Sequence, residues 1–211
     1  MGIADQLAAM AELQDSLNRN VHATWRTQGH QYYRAIWIEC AELLDHFGWK
    51  WWKHQRPDLD QVKLEIVDIW HFGLSELIRE GSIDHGRIDE HVVAAFADWS
   101  RQPRDFREAV ETLAQQTLAQ RAFPVAEFVD VMSALPIDLD ELYRIYIGKN
   151  VLNVFRQANG YQSGAYVKVW QGREDNEHLF ELVGTLDAGS SSFYDDLYRA
   201  LETRYAESIR S

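Results

Sequence analysis

Apolar residues recur at helical spacing through most of the 211-residue chain. Ile3, Leu7, Met10, Leu13 and Leu17 form one stripe and predict a helix over residues 3–19. A second helix is predicted from about Gln31 to Phe47, with Gly48 as its stop signal. A third is capped by Asp58 or Asp60 and runs to the Arg79-Glu80-Gly81 stretch. Amphipathic faces then predict helices over roughly 86–99 and 104–121, broken at Ser100–Pro103. Two more follow, over 124–133 and 138–158. Beyond Gly160 the pattern changes: YQSGAYVKVWQG alternates and is rich in glycine and aromatics, which predicts a loop or short hairpin. EDNEHLFELV reads as a turn or two of helix, and residues 193–209 as a closing helix. The expected fold is all-α, a multi-helix bundle in a single domain over 1–211, with a short irregular or hairpin excursion near 160–172.

Two of these helices break their own apolar pattern with acids. Glu39-x-x-Glu42 lies among Ile36, Trp37, Ile38, Leu43 and Leu44, and Glu65-x-x-Asp68 among Leu64, Ile66, Val67, Ile69 and Trp70. Residues three apart on a helix are surface neighbours, so each pair aims two carboxylates from one face. Charges enter apolar surroundings only when paired or bound to metal. The expectation is that the two helices face each other and hold divalent cations. A di-iron bundle would need two Glu-x-x-His motifs, and Asp68-x-x-His71 is only half of one. Oxygen-only ligands point to Mg²⁺, with Mn²⁺ as the alternative, and Mg²⁺ shares its coordination with phosphates.

Charge narrows the field. Thirty-three acids against 21 bases give a net charge of −12, which argues against a nucleic-acid partner. The single cysteine, Cys40, excludes an internal disulfide, the N-terminus carries acids unlike a signal peptide, and no apolar run would span a membrane. A cytoplasmic setting is expected. Against this acidic background Lys149, Asn153 and Arg156 share one helix face at i, i+4 and i+7, with Lys168 and Arg173 beyond. They are either a solvated basic stripe or a phosphate clamp, in which the Asn153 amide would suit a pyrimidine edge. Gln14 and Asn18 lie four apart on the first helix and, on spacing alone, read as solvated amides. Trp49, Trp51 and Trp52, between Lys50 and Lys53, are either core or a flat surface for a base.

Taken together these stretches resemble the dimeric all-α dUTPases of the all-α nucleoside triphosphate pyrophosphatase superfamily. The resemblance rests on LQDSLN in the first helix, GWKWWK after the first acid pair, EIVDIWHF at the second pair, and GKNVLNVFRQANGYQSGAYVKVWQGREDN late in the chain. It covers roughly residues 7–80 and 138–180 as a core, and leaves 84–135 as helical scaffold or lid. It implies Mg²⁺-dependent hydrolysis of dUTP to dUMP and pyrophosphate, by water attacking the polyphosphate on a metal cluster. Glu39, Glu42, Glu65 and Asp68 would be the metal ligands, and Glu39 or Glu42 would also orient or deprotonate the water. Gln14, Asn18 and Asn153 would contact the nucleoside, and one tryptophan of the WKWWK segment, with Trp49 as a candidate, would border it. Lys149, Arg156 and Lys168 would hold phosphate oxygens. The chain departs from the family at Ala158, where an acid is common.

The resemblance also implies a homodimer, and the aromatic faces around Trp37, Trp70, Phe72, Phe96 and Trp99 look larger than one bundle needs. Two other readings compete: a pyrophosphatase for dCTP or a modified nucleotide, and a non-catalytic helical protein whose acids bind structural ions.

Overall fold

The computed structural model describes residues 2–98, 105–186, 190 and 192–209. Their contacts divide the chain into two compact units, Met1–Tyr143 and Arg144–Ser211. The all-α expectation holds: nine helices lie among the described residues, and the strands are confined to two short hairpins.

The first unit is built on α1 (Ile3–Val21), α2 (Tyr32–Phe47) and α3 (Leu59–Glu80). Asp58 caps α3 by accepting a hydrogen bond from the Gln61 N–H at 3.2 Å, and Gly81 ends it in the left-handed conformation at φ 87°. Helix α2 packs chiefly on α3, and α1 packs on α3 as well. This is why α3 reads as apolar around most of its circumference: Val62, Leu64, Ile66, Val67, Ile69, Trp70 and Leu74 are all buried. An aromatic cluster closes the core. Trp70 stacks on Phe128 at 5.5 Å and meets Phe96 edge-on at 5.3 Å. Gly73 leaves the space that Phe123 fills, since a Cβ there would lie 2.6 Å from the Phe123 ring.

Trp70 and Phe96 are fully buried, so they belong to the core and not to a surplus face. The sequence argument for association from these two residues is therefore corrected: α4 (Glu90–Ala97) and α6 (Val125–Ser133) cover them. Trp37 does remain exposed, at 39%. A second correction concerns the helix expected to start near residue 86. Residues 83–88 form a hairpin, β1 (Ile83–Asp84) with β2 (Arg87–Ile88), joined by His85 and Gly86 at φ 44° and 82°. Two consecutive residues with positive φ are the signature of the two-residue hairpin turn. Helix α5 (Phe106–Gln120) follows the Asp105 cap, while Trp99 and the expected break at Ser100–Pro103 lie outside the described residues.

Helix α7 (Leu139–Ala158) begins in the first unit and continues into the second. The second unit adds β3 (Val169–Trp170), β4 (Arg173–Glu174), α8 (Asp175–Thr185) and α9 (Phe193–Ile209). Gln171 and Gly172 turn the hairpin at φ 51° and 81°, so the excursion expected near 160–172 extends to Glu174. The stretch expected to give a turn or two of helix is the 11-residue α8. Phe155, Tyr166, Trp170 and Tyr205 pack ring against ring at the centre of this unit.

Candidate active site

The acid pairs meet where α2 packs on α3. One carboxylate oxygen from each of Glu39, Glu42 and Glu65 lies within 4.8 Å of the others. Glu65 is buried, Glu39 half-buried and Glu42 exposed, so the cluster opens toward solvent at Glu42. Asp68, one turn beyond Glu65, stands outside that 4.8 Å group, yet its charge acts on Glu39. Burial raises the Glu39 pKa most, and the charges of Asp68, Glu65 and Glu42 add to it, pushing it up to about 8. Its proton makes a hydrogen bond to Glu65. A set of oxygen donors that must otherwise retain a proton to coexist fits a hard divalent cation, which would replace that proton.

Sequence reasoning overlooked His46, whose Nε2 lies 3.6 Å from Glu65 Oε1. The available signal was its position four residues after Glu42, on the same helix face. Beside Glu42 a groove of about 670 Å³ is walled by Trp37, Ile38, Leu44 and Trp49, with Arg107 at its edge. Trp49 and Glu42 therefore share one groove. Trp51 and Trp52 project into solvent, and Trp52 meets both Trp51 and Trp49 edge-on. Trp25 is buried, its indole N–H donating to Asp15 at 3.1 Å.

Gln14 and Asn18 are not solvated amides. Gln14 is 3% exposed, and both side chains turn from α1 toward α3. Gln14 Nε2 donates to Ser75 Oγ at 3.0 Å and to Asn18 Oδ1 at 3.1 Å. Asn18 Nδ2 donates to the same hydroxyl at 2.9 Å, and His71 Nδ1 faces Gln14 Oε1 at 2.7 Å. Thus His71, one turn beyond Asp68, joins the amides. Ser75 was not singled out in the sequence, because a serine inside a helix carries no local signal of a partner on another helix.

In the second unit the basic residues are not a solvated stripe either. Lys149 is 2% exposed, its Nζ donating to Asn176 Oδ1 at 3.1 Å. Arg156 holds Asp175 through two parallel bonds of 2.8 Å, from Nε and Nη2. Its Nη1 donates to Asn153 Oδ1 at 3.3 Å, which turns the Asn153 NH₂ group away from the guanidinium. Tyr166 Oη also donates to Asp175, at 2.8 Å, and burial first, then that carboxylate, drives the Tyr166 pKa far up. Lys168 is exposed and pairs with Glu174 at 3.1 Å. Asp175 and Asn176 were missed as the partners of this face, since their side chains lie two turns of hairpin and loop further along the chain.

No described helix is long and apolar enough to cross a membrane. No curated protein matches the chain. A family model described as dUTPase matches residues 6–161, a span that takes in both acid pairs, the amides of α1 and all of α7. The chain belongs to the all-α dUTPase family, nucleoside triphosphate pyrophosphatases that hydrolyse dUTP.

Proposed function

We propose that the chain hydrolyses dUTP to dUMP and pyrophosphate with Mg²⁺ held by Glu39, Glu42, Glu65 and Asp68, Mn²⁺ being the alternative ion. The observation that carries this reading is the convergence of three carboxylates from α2 and α3 within 4.8 Å of one another. When bound, the cation supplies compensation for the triphosphate charge and acidifies the attacking water. The chain's own residues position and deprotonate. Glu42, on the open side of the cluster, takes the proton of the attacking water, and Glu39 orients it. His46 stands close enough to Glu65 to steady that carboxylate.

Trp49 borders the nucleoside in the groove that it shares with Glu42. Gln14, Asn18 and Asn153 supply amide contacts to it, and Lys149, Arg156 and Lys168 hold phosphate oxygens. For Arg156 this means sharing a guanidinium whose Nε and Nη2 already bond Asp175. The exposed Trp37 and Ile38 support a homodimer as the working form. The acidic balance and single cysteine support a cytoplasmic setting without a nucleic-acid partner.

The test is a panel of dUTP, dCTP, dTTP and UTP with and without Mg²⁺, followed by pyrophosphate release. Preferential release from dUTP that requires the metal supports the reading. Preferential release from dCTP transfers the chain to another nucleotide, and Mg²⁺-induced thermal stabilisation without turnover of any nucleotide leaves a non-catalytic metal-binding protein.

A further inference from the structure

An exposed tryptophan that borders a ligand costs affinity if it must be ordered on binding, and contributes most when the fold already holds it in place. Trp49 is such a residue. It is 47% exposed, stands in the turn between α2 and α3, and lines the groove beside Glu42.

The backbone of that turn is held by Gln55. Its Oε1 accepts from two consecutive N–H groups, of Trp49 at 3.0 Å and of Lys50 at 2.7 Å. An amide oxygen has two lone pairs, and both are used here. The side chain can close on the turn because residue 48 is glycine. A Cβ there would lie 2.9 Å from the Gln55 Cβ, and its φ of 95° disfavours any other residue. A second support comes from α5. Arg107 Nε donates to the Gly48 carbonyl oxygen at 2.7 Å, with its guanidinium 4.9 Å above the Phe47 ring. The indole itself is held less firmly. Its N–H donates to Asp45 Oδ1 at 3.0 Å, but Lys50 Nζ donates to the same oxygen, and Asp45 is 62% exposed, where water competes. Trp52, which meets the ring edge-on, is exposed as well. The direction in which the indole leaves the backbone is therefore set mainly by the two bonds to Gln55.

We infer that Gln55 is a positioning residue for the substrate: through the N–H groups of Trp49 and Lys50 it holds the Trp49 indole at the groove before the nucleoside arrives. The inference rests on the proposed dUTP hydrolysis with Trp49 bordering the nucleoside. Gln55 is not among the residues that line the groove, so it acts through Trp49. Arg107 keeps Gly48 tied to α5 when Gln55 is lost, so its removal frees the backbone at residues 49 and 50 without releasing the whole turn.

The experiment measures kcat and KM for dUTP with Mg²⁺, and Tm, in the wild type, Gln55→Leu, Gln55→Glu, Trp49→Ala and the double variant Gln55→Leu with Trp49→Ala. In Gln55→Leu KM rises about fivefold, the scale of one net hydrogen bond, while kcat stays within about twofold. Gln55→Glu keeps the accepting oxygen and stays near the wild-type KM. Trp49→Ala raises KM at least as far as Gln55→Leu does. Adding Gln55→Leu to it raises KM no further, because both changes act through one side chain, whereas a general loosening of the turn would add its own effect. If Gln55→Leu does not fold, Gln55→Asn takes its place with the same expectation, its amide oxygen being one methylene short of the two N–H groups. An unchanged KM in the folded Gln55 variant, or a full further rise in the double variant, overturns this inference and leaves dUTP hydrolysis standing. An unchanged KM in Trp49→Ala removes Trp49 from the nucleoside site and the inference with it. A wild type that does not turn over dUTP overturns the reading on which the inference rests.

Discussion

Glu39 shares a hydrogen bond with Glu65 across the packing of α2 on α3, and that bond exists only while one of the two carboxyls keeps a proton. Glu39 keeps it up to about pH 8 in the folded chain, against an ordinary value of 4.5. Within that window the folded form binds a proton that the unfolded form lacks, so stability falls as pH rises. The contribution is fully present below about 4.5 and lost as pH passes through about 8. Thermal melts in EDTA should therefore show a decline in Tm across this window that Glu39→Gln lacks. Saturating Mg²⁺ should raise the wild-type Tm more at the alkaline end. Parallel pH profiles of Tm for wild type and Glu39→Gln would contradict this reading of the cluster.

The Arg156–Asp175 pair predicts a stability effect separate from catalysis. Asp175 is fully buried and also accepts from Tyr166, so its removal strands the Arg156 guanidinium in a nearly dry setting. Asp175→Ala should cost about 3 kcal/mol or more, the usual result of breaking one side of a buried pair. Urea denaturation followed by tryptophan fluorescence measures it. A cost below about 1 kcal/mol would place the pair with exposed ion pairs.

Gly73→Ala sets two effects of opposite sign against each other. Helix propensity alone favours alanine by about 1 kcal/mol. The new Cβ, however, would lie 2.6 Å from the Phe123 ring, inside a cluster with Trp70 and Phe128 that has little room to yield. Overpacking of this kind costs about 1–3 kcal/mol, so the variant should be destabilised. A rise in Tm would show that Phe123 moves aside easily.

Asn153 should affect binding of the base more than metal use. Its Oδ1 accepts from Arg156, which leaves the NH₂ group to meet a ligand. Asn153→Ala should raise KM for dUTP and erode discrimination among pyrimidine nucleotides by about tenfold, with an unchanged Mg²⁺ dependence. Unchanged KM values for dUTP and dCTP would remove Asn153 from the nucleoside site.

Much of this architecture is legible in the sequence because it is local. The acid pairs were visible since i, i+3 carboxylates inside apolar helices have few structural explanations, and the caps at Asp58 and Gly81 act within one turn. What escaped depends on partners distant in sequence. Lys149 and Arg156 looked like a candidate solvated stripe because Asp175 and Asn176 reach them from α8. Ser75 and Gln14 look unremarkable until α1 and α3 are side by side. Trp70 and Phe96 seemed surplus because the helices that bury them come later in the chain. The hairpin at 83–88 was absorbed into a helix because its strands are only two residues long, too short to show alternation.

The central claim, that the carboxylates of α2 and α3 are the hydrolytic centre, is tested most directly by steady-state dUTP turnover with Mg²⁺ in Glu42→Gln and Asp68→Asn. Each variant removes one charge with little change in volume. Both should lose more than about a hundredfold in kcat/KM while remaining folded, beyond what loss of an outer support usually costs. Turnover within a few-fold of the wild type in either variant would contradict the assignment of that residue to the centre.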